Sequence, residues 1–193
     1  YIDDIPLEGA LHVAFVRSPF ARAKILSIDC DAAREMDGVA AVYTCDDLGR
    51  LDLEMPLLIP HPSLTEPRTQ RPLAKGEVFH VGQTVAMVVA VDRYTAEDAI
   101  RMVDVDYEPL EVELDLEAAI QDDAPRVHAD VANNVAAQFV QTVGDPDDAF
   151  ARAEHITKIK VQVDRSTAAP LECRAIAARW DDITGELMVW DGT

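Results

Sequence analysis

The sequence predicts an α+β fold followed by the first, β-rich part of a second α+β unit, and three adjoining stretches carry that expectation. Residues 84–91 form a nearly unbroken apolar run of strand length, the pattern of a strand buried on both faces. Residues 94–102 follow with helical spacing, which places Ala96, Ala99, Ile100 and Val103 on one face and Glu97, Asp98 and Arg101 towards water. Val103, Val105 and Tyr107 then alternate with Asp104, Asp106 and Glu108, as in a half-exposed strand. Gly82 and Pro109 punctuate the series, and a short helix is expected before Ile120.

Taken in chain order, residues 11–17 are a strand candidate that Ser18-Pro19 ends, and residues 24–29 are a second. Asp31 is expected to cap a short helix through Met36 that Gly38 closes, and residues 39–44 are a third strand. Asp46-Asp47 begins a turn into residues 51–76, which hold five of the eleven prolines (Pro56, Pro60, Pro62, Pro67, Pro72). That stretch is too long and too rich in proline for an ordinary connection, which leaves an ordered arm, a partner-facing loop or disorder. Periodicity breaks over residues 121–138. Beyond it Asp145 can cap a helix with Pro146 at its first position, running through Ala153. Ile159, Val161 and Val163 alternate with Lys158, Lys160 and Gln162, as in another strand. Residues 174–180 and 186–190 are expected to form a hairpin over Asp182-Ile183-Thr184-Gly185. The domain organisation read from this pattern is 1–125 as one compact unit, 126–139 as a linker and 140–193 as the start of a second domain.

With 193 residues the chain can bury roughly 70% of its unfolded surface. A net charge of −19 argues against binding nucleic acid or an anionic membrane, because both require clustered Lys and Arg. Residues 96–123 carry eleven carboxylates against the single base Arg101, a pattern that reads as a solvated face. The acids follow strands and lack the turn of a calcium loop, so a cation site is the weaker reading. Cys30, Cys45 and Cys173 are unpaired by spacing and no C-x-x-C occurs, which fits a reducing, cytoplasmic setting and signals no cysteine-held metal. No apolar run approaches a membrane span, and no signal peptide is visible. The chain starts at Tyr1 without a methionine and stops just after a strand, so it is expected to be a piece of a longer polypeptide.

No constellation of residues announces chemistry. His12, His61, His80, His128 and His155 lack partners at ligand spacing, and Gly82 belongs to no phosphate-cradling loop. Ser18 and Ser166 lack the glycine elbow of hydrolases, while Asp3-Asp4 and Asp46-Asp47 read as turn and cap residues. One cluster stands apart, RSTAAPLECR at 165–174, in which Arg165 and Arg174 flank Glu172. It is either a structural ion pair tying a loop to the next strand or part of a cofactor cavity.

Several short motifs are jointly familiar. YIDDI (1–5), PLEGAL (6–11), VRSPFA (16–21), GVAAV (38–42), VGQTVA (81–86), DRYTAEDA (92–99) and VDYEPL (105–110) occur in an order that resembles the opening of the large subunit of molybdenum hydroxylases. The chain resembles the α/β-hammerhead domain of the xanthine dehydrogenase and aldehyde oxidase family, for which a mixed sheet with short helices is expected. GDPDDAF (144–150) and PLECR (170–174) resemble the start of the molybdopterin-binding domain. The 165–174 stretch is more like the carbon monoxide dehydrogenase large-chain branch than the vertebrate-type enzymes, where a glutamine that contributes to the molybdenum centre falls near Ser166. Phe20 and Arg22 stand where histidines are common, Gln83 where glutamate is common and Cys173 where proline is common.

The resemblance implies an oxidoreductase that hydroxylates a small-molecule substrate, or oxidises carbon monoxide, with oxygen from water. It implies a molybdenum–molybdopterin cofactor bound mainly outside these residues. It also implies an iron–sulfur small subunit carrying [2Fe–2S] clusters and an FAD-binding medium subunit, assembled as a dimer of heterotrimers. The family's base and substrate loop lie downstream of Thr193. No catalytic, cofactor-binding or metal-ligating residue is therefore assigned, and the piece alone is expected to be inactive. Two other readings are a stand-alone acidic interaction module without redox activity and a carboxylate-based cation-binding domain.

Overall fold

The computed structural model describes residues 1–164 and 166–192. Eight strands run in chain order: β1 (His12–Arg17), β2 (Ala23–Asp29), β3 (Val39–Thr44), β4 (Glu77–Val78), β5 (Thr84–Ala90), β6 (Asp104–Pro109), β7 (Ile176–Asp181) and β8 (Glu186–Asp191). Four short helices accompany them: α1 (Asp31–Arg34), α2 (Arg93–Ala99), α3 (Leu116–Ala119) and α4 (Pro146–Arg152). The α+β class follows directly. The strands form sheets ordered β1-β5-β3, β4-β2-β6 and β7-β8. Every strand pairing among the described residues is antiparallel, where the resemblance implied a mixed sheet. The chain divides into two compact units, residues 10–141 and residues 1–9 with 142–193.

In the larger unit β5 is the centre of its sheet and has no exposed residue, as its apolar run predicts. Its residues alternate between two cores, since successive strand side chains point to opposite faces. Ala86 and Val88 pack with Cys30, Ala33, Val42, Ala99 and Val103. Val85 packs instead with Ala23, Ala74 and Val78, which brings β2 and β4 against the other face. The register of β1 against β5 shifts between Val16 and Arg17, which face Ala86 and Thr84 and leave Val85 between them. Such a bulge strengthens the local twist of the strand.

Helix α2 begins where Asp92 accepts the Thr95 N–H at 2.8 Å and buries Ala96 and Ala99, the face its spacing predicts. It ends at Ala99 and continues as a 3₁₀ turn, Ile100–Met102. Helix α1 departs from expectation. It spans four residues, and Asp31 is its first residue rather than its cap. The Asp29 carboxylate, one position upstream of the Cys30 cap, accepts the Asp31 N–H at 2.9 Å. Gly38 then turns the chain into β3 with φ +86. A Cβ there would meet the Val91 Cγ2 at 3.0 Å and the Thr95 Cγ2 at 3.2 Å, so the position requires glycine twice over.

In the smaller unit α4 is capped by Asp145, which accepts the Asp148 N–H at 2.9 Å, with Pro146 at the first helical position. Strands β7 and β8 form the expected hairpin. Asp181 accepts the N–H groups of Ile183 and Thr184, and Gly185 takes φ +69. The alternating stretch 158–163 forms no strand, contrary to its pattern. Alternation prepares a strand, but a strand also needs a neighbouring edge to pair with, and none of the described strands pairs with it.

A charge at the centre of β5 tests this architecture. Val88→Asp places an unpaired carboxylate where Val88 is 0% exposed. It is expected to cost on the order of 3 kcal/mol, which lowers Tm by roughly 10 °C. A calorimetric Tm within a degree or two of the parent would show that β5 is not the buried centre.

Candidate functional site

The proline-rich arm is an ordered excursion with a charged clasp at its base. Asp47 accepts from the Thr44 backbone N–H at 2.7 Å and from its hydroxyl at 2.8 Å, which starts the 3₁₀ turn Cys45–Leu51. The turn delivers Asp52 beside the buried thiol of Cys45, which donates to Asp52 Oδ1 at 3.0 Å. From the far end of the arm Arg71 Nη1 donates to the Asp52 carbonyl at 2.8 Å and to its carboxylate, while Lys75 Nζ takes the other carboxylate oxygen. Burial, and then the hydrogen bond it donates to Asp52, push the Cys45 thiol up to about 11. The Cys45 hydrogen bond, and then those from Lys75 and Arg71, hold the Asp52 carboxyl well below the usual carboxylate range. A protonated, buried thiol is a poor nucleophile, and the contacts of this cluster close a loop.

Further along, the arm docks on residues 126–138. Leu64 and Ala137 form an isolated β-bridge, Thr65 N–H donates to the Ala136 carbonyl at 2.9 Å, and Gln138 N–H donates to the Ser63 carbonyl at 3.2 Å. Arg68 pairs with Asp130. Between the two segments lies a half-open cleft of about 230 Å³, lined by Glu66, Arg68, Val127, His128, Val131 and residues 133–136. A neighbouring cleft of about 220 Å³ is lined by the apolar Phe79, Val81, Val112, Leu114 and Pro125 together with Arg22, His80, Arg126, Glu111 and Glu113. The His128 and Phe79 rings pack with centroids 4.4 Å apart at a tilt of 48°. Sequence reasoning missed both clefts. The one signal for the first was the absence of charge from residues 55–64 and 131–144 in so acidic a chain.

The other residues singled out from sequence are dispersed. His12, His80 and His155 are exposed, and His61 Nδ1 lies 2.8 Å from the Ser63 hydroxyl in the arm. No strand follows His155, so it does not stand at a strand entrance. The Ser18 hydroxyl is buried in its own turn, donating to the Phe20 carbonyl and accepting the Phe20 N–H, both at 3.0 Å. Ser166 is exposed. Glu172 accepts the Ile2 N–H at 3.0 Å, and among the described residues it forms no ion pair with Arg174, the expected tie. Arg165 lies outside the described residues. The acids on β6 and on the path to α3 point to solvent. Asp115 caps α3 by accepting from Glu117 and Ala118. Among the described residues no three His, Cys, Asp or Glu side chains converge to hold a metal ion.

Comparison with known proteins gives these features their context. Residues 1–111 match the family model described as "Aldehyde oxidase and xanthine dehydrogenase, a/b hammerhead domain". This chain belongs to the xanthine dehydrogenase and aldehyde oxidase family. Residues 127–193 of this family member match the model for the molybdopterin cofactor-binding domain. It is 39% identical over 204 aligned residues to the carbon monoxide dehydrogenase large chain of Afipia carboxidovorans, covering 98% of this chain and 24% of that one. It is 37% identical to the nicotine 6-hydroxylase large subunit of Paenarthrobacter nicotinovorans, covering 100% and 23%. Among solved structures, quinoline 2-oxidoreductase from Pseudomonas putida 86 superposes with a TM-score of 0.88 at 33% identity, covering 100% and 24%. The chain thus spans about a quarter of the length of the relatives it matches. No helix among the described residues is long and apolar enough to cross a membrane.

The clasp yields a prediction with a definite sign. A carboxyl whose folded pKa lies below its unfolded value of about 3.9 contributes stability above that pH and loses it as pH falls towards the folded pKa. The arm should therefore stay closed from about pH 4 upward and loosen below it. Asp52→Asn removes the charge that holds Arg71 and Lys75. It is expected to raise the rate of proteolytic cleavage within residues 51–76 several-fold at pH 7, with little change in Tm. Unchanged cleavage would show that the clasp does not hold the arm.

Proposed function

We propose that this chain is the scaffold part of the large subunit of a molybdenum hydroxylase, more like the carbon monoxide dehydrogenase branch than the vertebrate-type enzymes. The observation that carries the reading is the pair of family matches, hammerhead over 1–111 and molybdopterin cofactor-binding over 127–193, in one chain. The relatives matched are named as a carbon monoxide dehydrogenase large chain, a nicotine 6-hydroxylase large subunit and a subunit of a 6-hydroxypseudooxynicotine dehydrogenase complex. Domain limits of 1–125 for the hammerhead, 126–139 for a linker and 140–193 for the start of the cofactor-binding domain belong to this proposal.

On this reading the cofactor, and the base that works with it, are held mainly outside these residues. No chemical step is therefore assigned to them, and the isolated chain is inactive on this reading. The whole protein would oxidise a small molecule, or carbon monoxide, with oxygen from water and pass electrons to [2Fe–2S] and FAD groups in cytoplasmic partner subunits. This chain would contribute rigid walls. The two-core unit built on β5 holds the arm and its clefts in place, as a scaffold for a cofactor enzyme must.

The alternative is a stand-alone acidic interaction module, favoured by the net charge of −19 and the exposed carboxylates along β6. Molybdenum analysis of the native polypeptide from cofactor-competent cells separates the two readings. About one molybdenum per large subunit is the expected result. Well-folded protein without molybdenum would overturn the hydroxylase reading and leave the interaction module.

A further inference from the structure

Residues 127–193 match the molybdopterin cofactor-binding model, yet residues 127–141 belong to the larger compact unit. The arm reaches this stretch from the central strand through an unbroken series of contacts. At the start of β5 the Thr84 hydroxyl donates to the Pro72 carbonyl at 2.8 Å, and the Thr84 carbonyl accepts the Ala74 N–H at 2.8 Å. Arg71 and Lys75 then close on Asp52. Beyond that clasp a rung joins the two legs. The Met55 N–H donates to the Gln70 carbonyl at 2.9 Å, and the Thr69 hydroxyl donates to the Met55 carbonyl. At the tip, Ser63, Thr65 and Glu66 bond to Ala136 and Gln138, the Thr65 hydroxyl donates to the Val135 carbonyl at 2.9 Å, and Arg68 pairs with Asp130.

Each tip contact is weak by itself. Arg68 and Asp130 are 36% and 68% exposed, so solvent screens their attraction. A free loop would lose conformational entropy on docking that such contacts scarcely return. The clasp and the rung bring the legs together beforehand, and Pro56, Pro60, Pro62 and Pro67 restrict the chain between them.

We propose that the arm works as one strap, whose clasp and tip close together and pin residues 130–138 to the larger unit. The passage from one family module to the next is then a clamped segment rather than a flexible tether. Asn134 completes the clamp on its other side. Its side-chain amide donates to the carbonyls of Ala119 at 2.9 Å and Pro125 at 3.0 Å, and its oxygen accepts the Val127 N–H at 2.8 Å. Coupling of this kind is reciprocal, so a change that loosens one end must loosen the other.

Two reporters in the native full-length polypeptide test it, one at each end. Hydrogen exchange over residues 131–141, read by mass spectrometry, follows the tip. Maleimide labelling of Cys45, which is 3% exposed beside Asp52, follows the clasp. Asp52→Asn at the base should speed exchange at the tip about fivefold or more, and Arg68→Ala at the tip should speed Cys45 labelling by a similar factor. Thr69→Val, which removes one bond of the rung and touches neither end, should raise both. Exchange over residues 84–90 should keep its parent rate in all three variants. If each end variant moves only its own reporter, or Thr69→Val moves neither, the arm is two independent fastenings and the proposal fails. Acceleration shared by residues 84–90 would also overturn it, because the whole unit would then be opening. Both readouts are independent of molybdenum content.

Discussion

Two-sided burial of β5 is the constraint on which the larger unit depends. A strand with no exposed residue must have something to cover each face, and the chain provides two different covers. On one face Ala86 and Val88 meet α1, α2 and β3 through Ala33, Ala99 and Val42. On the other Val85 meets β2 and β4 through Ala23 and Val78. The small side chains in these contacts let helix and strand approach closely. The register shift at Val85 and the turn at Gly38, with no room for a Cβ, are local consequences of that approach. Burying a valine such as Val88 contributes about 1.5–3 kcal/mol. Several such residues on a single strand tie both sheets to one element.

Much of this was legible in the sequence because it is local. The apolar run of β5, the helical spacing of Ala96 and Ala99 and the alternation of β6 each encode burial over a few consecutive residues. The caps by Asp92 and Asp145 follow from chemistry three residues long. What could not be read depends on distant partners. Nothing near Asp52 in the sequence says that Arg71 and Lys75 will close on it, and nothing near Ser63 points to Gln138. At α1 the cap position falls on Cys30, and Asp29 just upstream takes the Asp31 N–H, a choice that acids at both 29 and 31 leave undecided in the sequence. Residues 158–163 show the opposite limit, a strand pattern with no strand edge beside it.

The distribution of charge separates the surfaces by role. Acids crowd β6 and the approach to α3, where they face water and keep the chain far from neutrality. Residues 55–64 and 131–144 carry no charge, and hydrogen bonds bring these two segments together beside a cleft. Interface centres are characteristically depleted of charged residues.

Native-state hydrogen exchange tests the central role of β5 most directly. If both cores close on that strand, the amides of Val85 to Ala90 should exchange only through global unfolding, with the highest protection in the chain. Faster exchange in β5 than in β2 or β6, by a local opening that leaves those strands protected, would contradict the account.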